Sequence, residues 1–218
     1  MIRLEGITKK YMDDSLETIA LDRLSLEIAE GEMVAVLGTS GCGKSTLLNI
    51  LGGMDRVDSG KYYFENEEVS AYRAIRLHSF RKKNIGFVFQ NFSLLNRYTV
   101  YENMEIPLIA RNQKNRRKKI MDCLEQLGIA AYANKLPQKL SGGQQQRCAI
   151  GRALMTDCRL MLCDEPTGAL DSKTTIEIMN VLCEENKKGK TIIIATHDSD
   201  VACKCTRQLK MSDGRMLI

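Results

Sequence analysis

The sequence predicts an α/β fold: a parallel β-sheet core with an antiparallel β region at its N-terminus and an α-helical lobe inserted into it. Two observations carry the prediction. Short apolar runs recur at 33–37, 85–89, 160–163 and 191–195, with helical periodicity between several of them. The stretch from about 91 to 154 carries helical spacing and no strand signal.

The first 35 or so residues alternate at period two, as in Ile2 and Leu4 and then Leu24, Leu26 and Ile28. Met33-Val34-Ala35-Val36-Leu37 is continuously apolar, as suits a parallel strand covered on both faces. A glycine-rich turn follows, then a helix over Lys44 to Leu51, where Leu47, Leu48 and Leu51 share a face. Residues 85–89 (IGFVF) read as a second buried strand ending at Gln90. In the lobe, Ile120, Cys123, Leu124 and Leu127 recur at helical spacing, with Gly128 placed as a C-terminal cap. Between the last two runs, Ile176, Met179, Val181 and Leu182 mark an amphipathic helix closed by Gly189. Strands alternating with helices imply right-handed crossovers. The whole chain, 1–218, is expected to form one domain, with the core over about 1–90 and 155–218 and the lobe over about 91–154.

Composition narrows the function classes. No stretch approaches the roughly 20 apolar residues that cross a bilayer. The N-terminus, MIRLEGITKKYMDD, lacks the apolar core of a secretory signal, so the chain is expected to stay in the cytoplasm. Eight cysteines show no disulfide spacing and read as ordinary thiols; the Cys203-x-Cys205 pair has no second pair of ligands near it. The net charge of +5 is mild. The basic run Lys114 to Lys119 opens a helix without interleaved aromatics, and reads as a solvated face in preference to a nucleic-acid patch.

Three motifs carry chemistry. Gly38-Thr39-Ser40-Gly41-Cys42-Gly43-Lys44-Ser45 fits G-x-x-x-x-G-K-[ST] between a strand and a helix. Glycines let successive amides turn inward on phosphate oxygens, and the helix start adds its positive end. Lys44 then reaches the outer phosphates, the Ser45 hydroxyl binds Mg²⁺, and Thr46 completes the segment. Asp164 and Glu165 end a buried strand, where carboxylates are costly without a cation. Mg²⁺ carried by ATP is the natural one: Asp164 is expected to hold it and Glu165 to activate the attacking water. Leu140-Ser141-Gly142-Gly143-Gln144 is a helix start with Ser141 as N-cap, Gln144 completing a capping box, and two glycines leaving the amides uncovered for an anion.

LSGGQ is the hallmark of ABC ATPases, and the chain resembles that family along nearly its whole length. The resemblance implies a phosphate-loop NTPase (RecA-like) core. It matches Tyr11 to the aromatic that stacks on adenine, and Gln90 to a glutamine that touches Mg²⁺ and faces the membrane subunit. Gly168-Ala169-Leu170-Asp171 is similar to the D-loop, and His197 to the histidine that contacts the γ-phosphate. It further implies that two cassettes pair head to tail on ATP, so that Ser141, Gly142, Gly143, Gln144 and Asp171 serve the nucleotide of the other subunit. A separate integral-membrane permease and a place on the cytoplasmic face of the membrane follow from the same resemblance; no nucleic-acid partner does.

Within the family, LLNILGGMDRVDSG, GFVFQNFSLLNRYTVYENMEIPL and DEPTGALDSKT look like the branch serving macrolide, lipoprotein and antimicrobial-peptide exporters. Val57 stands where many relatives have proline, and Cys163 where Ala or Leu is usual. Cell-division ATPases share many of these residues, so a mechanical role beside a division protein stays open. A non-transport cassette acting on ribosomes or DNA fits less well: there is one cassette and no heptad repeat. A phosphate-loop kinase would leave LSGGQ and the paired acids without a purpose.

Overall fold

The computed structural model describes residues 1–13, 16–168 and 170–217. Ten strands and seven α-helices follow in chain order: β1 (Ile2–Asp13), β2 (Leu16–Ile28), β3 (Met33–Leu37), α1 (Lys44–Leu51), β4 (Ser59–Phe64), β5 (Glu67–Glu68), α2 (Ala74–Asn84), β6 (Ile85–Val88), α3 (Val100–Ala110), α4 (Arg116–Gln126), α5 (Gly142–Leu154), β7 (Leu160–Asp164), α6 (Ser172–Lys187), β8 (Thr191–Thr196), α7 (Ser199–Ala202), β9 (Arg207–Ser212) and β10 (Arg215–Leu217). They form two sheets. One is antiparallel, ordered β2-β1-β4-β5; the other is ordered β10-β9-β3-β8-β7-β6. In the second, β9, β3, β8, β7 and β6 run parallel and only β10 returns antiparallel on β9.

Three of the apolar runs, β3, β8 and β7, become the middle of the parallel sheet and the fourth, β6, its edge; runs this apolar suit a sheet with both faces covered. Side chains of one strand alternate between two cores. Val34, Val36, Leu160, Leu162, Ile193 and Ala195 join the core shared with the antiparallel sheet, α1 and α2. Met33, Met161, Cys163, Ile192 and Ile194 join the core shared with α3 to α6. Loops leaving the C-terminal ends of β3, β6, β7 and β8 therefore emerge on one rim, where open α/β sheets hold their ligands.

The structure departs from the sequence reading at several elements. The second buried strand stops at Val88, two residues short of Gln90. Within 1–90 lie β4, β5 and α2, none of which the periodicity marked. The region from 100 to 154 breaks into three helices, with 3₁₀ turns at Ala130–Tyr132 and Pro137–Lys139. In α6 the buried positions are Ile178, Met179 and Leu182, whereas Ile176 is exposed. The basic run lies at the start of α4, where Arg116 pairs with Glu105 of α3 at 3.0 Å. The eight cysteines are unpaired, and among the described residues no helix is long and apolar enough to cross a membrane.

Candidate functional site

The loop after β3 is shaped by close approach. A Cβ on Gly38 would lie 2.4 Å from the Met211 carbonyl oxygen, and one on Gly43 would lie 2.3 Å from that of Ala20. Gly43 also takes φ 104°, a left-handed turn that caps α1 with no side chain. No acid sits in the first turn of α1, so its amides and its positive end stay free for an anion. Lys44 is 7% exposed and curls back over the loop, its Nζ donating to the carbonyls of Gly38 (2.7 Å) and Thr39 (3.0 Å).

Across the rim, β7 delivers Asp164 and Glu165. Glu165 is held at φ 46°, which costs a non-glycine residue on the order of 1 kcal/mol. Its N–H bonds to the carbonyl of Ala195 at 2.9 Å, which fixes that turn against β8. Its Oε1 lies 2.9 Å from His197 Nδ1 and 3.9 Å from Lys44 Nζ. Asp164 lies deeper. Burial, with the neighbouring charge of Glu165, pushes its pKa up, against a hydrogen bond from Ser45 and the charge of Lys44. Its Oδ1 is buried without any partner. A buried carboxylate oxygen with an open valence beside a serine hydroxyl fits a hard cation such as Mg²⁺.

These groups share a cleft of about 550 Å³, within the usual size of a small-molecule site. Of the residues singled out by sequence, Tyr11, Thr39, Ser40, Gly41, Gly43, Lys44, Ser45, Thr46, Gln90, Asp164, Glu165 and His197 line it. Gly38 and Cys42 lie behind the loop, where the Cys42 thiol packs 2.5 Å from the place a Gly38 Cβ would take. Thr18, Ile19 and Ala20 of β2 also line the cleft, and sequence reasoning missed them: their place depends on the antiparallel sheet reaching over α1. Gln90 reaches the cleft from a backbone that turns left-handed just beyond it, at Phe92 (φ 60°) and Ser93 (φ 45°). The Arg152 guanidinium of α5 donates to both carbonyls, at 3.2 and 2.6 Å.

Ser141, Gly142, Gly143, Gln144 and Asp171 stay outside this cleft. At the start of α5 the Ser141 hydroxyl accepts from the Gln144 N–H at 3.3 Å, and the Ser141 N–H donates to Gln144 Oε1 at 3.0 Å. Gly142 has open space; a Cβ there would meet nothing nearer than 3.9 Å. Gly143 is tight against Thr174 Cγ2, 2.7 Å from a built Cβ. Asp171 caps α6, accepting from the Thr174 N–H (3.0 Å) and hydroxyl (2.7 Å), bonds that hold its carboxyl below the ordinary range. Ala169 of the same segment lies outside the described residues.

An amide cradle under a lysine, faced by an acid with one buried oxygen unpartnered, suits a nucleoside triphosphate and its metal. On this sheet that defines the class: a phosphate-loop NTPase. Comparison with known proteins narrows it. The ABC transporter family matches residues 21–168. The chain is 43% identical over 219 residues to the macrolide export ATP-binding/permease protein MacB 1/2 of Paracoccus denitrificans (strain Pd 1222), covering 100% of this chain and 33% of that one. It is 42% identical over 220 residues to the ABC transporter ATP-binding protein YvrO of Bacillus subtilis (strain 168), covering 100% of this chain and 96% of that one. The dimeric post-hydrolysis structure of the ATP-binding cassette MJ0796, bound to ADP and Pi, superposes with a TM-score of 0.95 at 40% identity, over 100% of this chain and 97% of the other. The chain belongs to the ABC transporter family, as an ATP-binding cassette ATPase. It spans about a third of the length of the macrolide-export relatives, 33% in the case given.

Proposed function

We propose that this cassette drives export through a membrane permease, with two copies closing head to tail over two ATP molecules. The observation that carries the reading is the division of the motifs. The phosphate loop and both acids share one cleft, while the start of α5, open at Gly142, lies outside it. A second copy turned by a two-fold axis would bring that helix end to the open side of the nucleotide. The dimeric structures of the MJ0796 cassette support the pairing of two copies.

In that arrangement Tyr11 stacks on the base, and the amides of 39–46 with Lys44 hold the phosphates. Ser45, Gln90 and Asp164 would hold Mg²⁺, which supplies charge neutralisation on the β- and γ-phosphate oxygens. Glu165 takes the proton of the attacking water, and the left-handed backbone aims its carboxylate toward the cleft. His197 steadies that carboxylate and donates to the γ-phosphate. The partner's Ser141, Gly142 and Gly143 complete the phosphate shell, with Gln144 locking the cap and Asp171 lying at the seam.

Loss of the γ-phosphate removes the shared anion between two positive helix ends, so the dimer opens. The helical lobe, about 91–154, carries that motion to the permease through the Gln90 segment. The permease places the cassette on the cytoplasmic face of the membrane. MacB-type relatives carry both functions in one chain, which supports a permease partner. Their names favour a macrolide-type substrate over a lipoprotein or an antimicrobial peptide. Glu165→Gln tests the scheme: ATP with Mg²⁺ should hold the variant as a stable dimer by sedimentation, with turnover down about 10²-fold or more. A variant that hydrolyses at the parental rate would remove Glu165 from its role.

A further inference from the structure

Tyr11 and the phosphate loop belong to different sheets, and an acid outside the cleft joins them. Tyr11 lines the cleft from β1, paired with Thr18 of β2, and is 40% exposed. Its hydroxyl donates to Asp55 Oδ2 at 2.7 Å. The other carboxylate oxygen, Oδ1, accepts from Lys9 Nζ at 2.8 Å and from the Arg56 N–H at 2.7 Å. Lys9 is 9% exposed, and its ammonium stands 5.1 Å from the Tyr11 ring centroid. Lys9 does not line the cleft, so it supports the ring from outside it.

Asp55 is itself fixed. It follows α1, and its N–H and that of Met54 both donate to the Asn49 carbonyl, at 3.2 and 2.8 Å. Asp58, three residues on, ties the same loop to β1: its N–H donates to the Thr8 carbonyl (2.9 Å) and its Oδ2 accepts from the Lys10 N–H (2.6 Å). Burial opposes ionisation of Asp55, yet the bonds from Lys9 and Tyr11 hold its carboxyl below the ordinary range. Helix α1 thus starts at the phosphate cradle and ends at the acid that grips the tyrosine.

We propose that Asp55 is a positioning residue for the nucleobase: it orients the Tyr11 ring as a stacking platform, with Lys9 as its support, at a fixed distance from the phosphate loop. The proposal rests on the reading that Tyr11 meets the base. A stacking face tolerates any base that presents a π-surface, so the dependence on Asp55 extends to ATP and GTP alike and is absent for a triphosphate without a base.

Steady-state ATPase assays on Asp55→Ala, Asp55→Asn, Tyr11→Phe, Tyr11→Ala and the Asp55→Ala/Tyr11→Phe double variant test it, with inorganic tripolyphosphate as a competing ligand. Loss of a charge-assisted hydrogen bond predicts a KM for ATP raised about three- to tenfold in Asp55→Ala. The kcat should change less than twofold, and tripolyphosphate should inhibit as it inhibits the parent. Asp55→Asn, which keeps the loop's shape, should show a smaller rise. Tyr11→Phe, which leaves Asp55 bonded to Lys9, should raise KM no more than Asp55→Ala, and the double variant should be no worse than Asp55→Ala, which already lacks the bond to Tyr11. Tyr11→Ala raising KM while Asp55→Ala leaves it unchanged would overturn the positioning role and spare the stacking one. An unchanged KM in Tyr11→Ala would overturn the stacking reading itself. Equal weakening of ATP and tripolyphosphate in Asp55→Ala would show the acid acting on the phosphate loop instead.

Discussion

Gly143→Ala is the substitution whose consequence the geometry predicts in most detail. The added Cβ would sit 2.7 Å from Thr174 Cγ2, well inside ordinary contact. Thr174 cannot rotate away cheaply, because its hydroxyl donates to Asp171 at 2.7 Å and so fixes χ1 while completing the cap of α6. Helix α5 or the α6 cap must therefore yield by about 0.7 Å, an overpacking cost of about 1–3 kcal/mol. The gain in helix propensity from glycine to alanine offsets roughly 0.5–1 kcal/mol of it. The net loss, about 1 kcal/mol at the middle of these ranges, should lower the melting temperature by a few degrees in a domain of this size. Thermal unfolding without nucleotide reads that loss. Thr174→Ser keeps the hydroxyl and its bond to Asp171 but removes Cγ2, so the double variant should melt within a degree or so of the parent. Gly142→Ala is the control: with nothing nearer than 3.9 Å, it should be as stable as the parent or more so, yet lose ATPase activity. If Gly143→Ala melts with the parent, or Thr174→Ser restores nothing, the packing of α5 on α6 has been misread.

Two further predictions concern buried polar groups. The folded chain holds the Asp164 proton more tightly than the unfolded chain, burial being the main cause, so between the ordinary value of 3.8 and its raised one it binds more protons. This group's contribution to nucleotide-free stability therefore falls as pH rises through that window and stays low above it. Asp164→Asn should remove the fall, giving a higher melting temperature than the parent at neutral pH together with loss of Mg²⁺-dependent hydrolysis; a lower one would contradict the burial argument. Gln146, 1% exposed in α5, has neither amide atom bonded. Gln146→Met should stabilise the chain by about 1 kcal/mol in urea unfolding, and a loss would mean that bound water satisfies the amide.

The elements legible in the sequence are those whose burial leaves a periodic trace. β3, β7 and β8 are covered on both faces, and each reads as an unbroken apolar run. β9 buries only Met211 among Arg207, Gln208, Lys210 and Ser212, and β4 opens with three exposed residues, so neither alternates visibly. In α2 only Leu77, Phe80 and Asn84 are buried while Ile75 is 85% exposed, which blurs the helical stripe. The same effect misplaced the face of α6 at Ile176. Much of the candidate cleft was legible because phosphate chemistry needs contiguous backbone: the loop at 38–46 and the acids at 164–165 are each local in sequence. Asp55 was not, since it reaches Tyr11 only through the fold, across 44 residues. Nor was the left-handed backbone of Glu165, a residue type that gives no sign of positive φ.

In the proposed scheme the start of α5 serves the nucleotide of the opposite subunit. Vanadate trapped with ADP and Mg²⁺ cleaves nearby backbone under ultraviolet light, and so reports which chain touches the γ-phosphate position. Parent chain is mixed with Lys44→Ala chain lengthened by a tag, so that only the parent holds the trapped anion. Cleavage is expected near Ser141 on the tagged chain and within the phosphate loop on the parent. Cleavage near Ser141 on the parent alone, or nowhere but the phosphate loop, would contradict it.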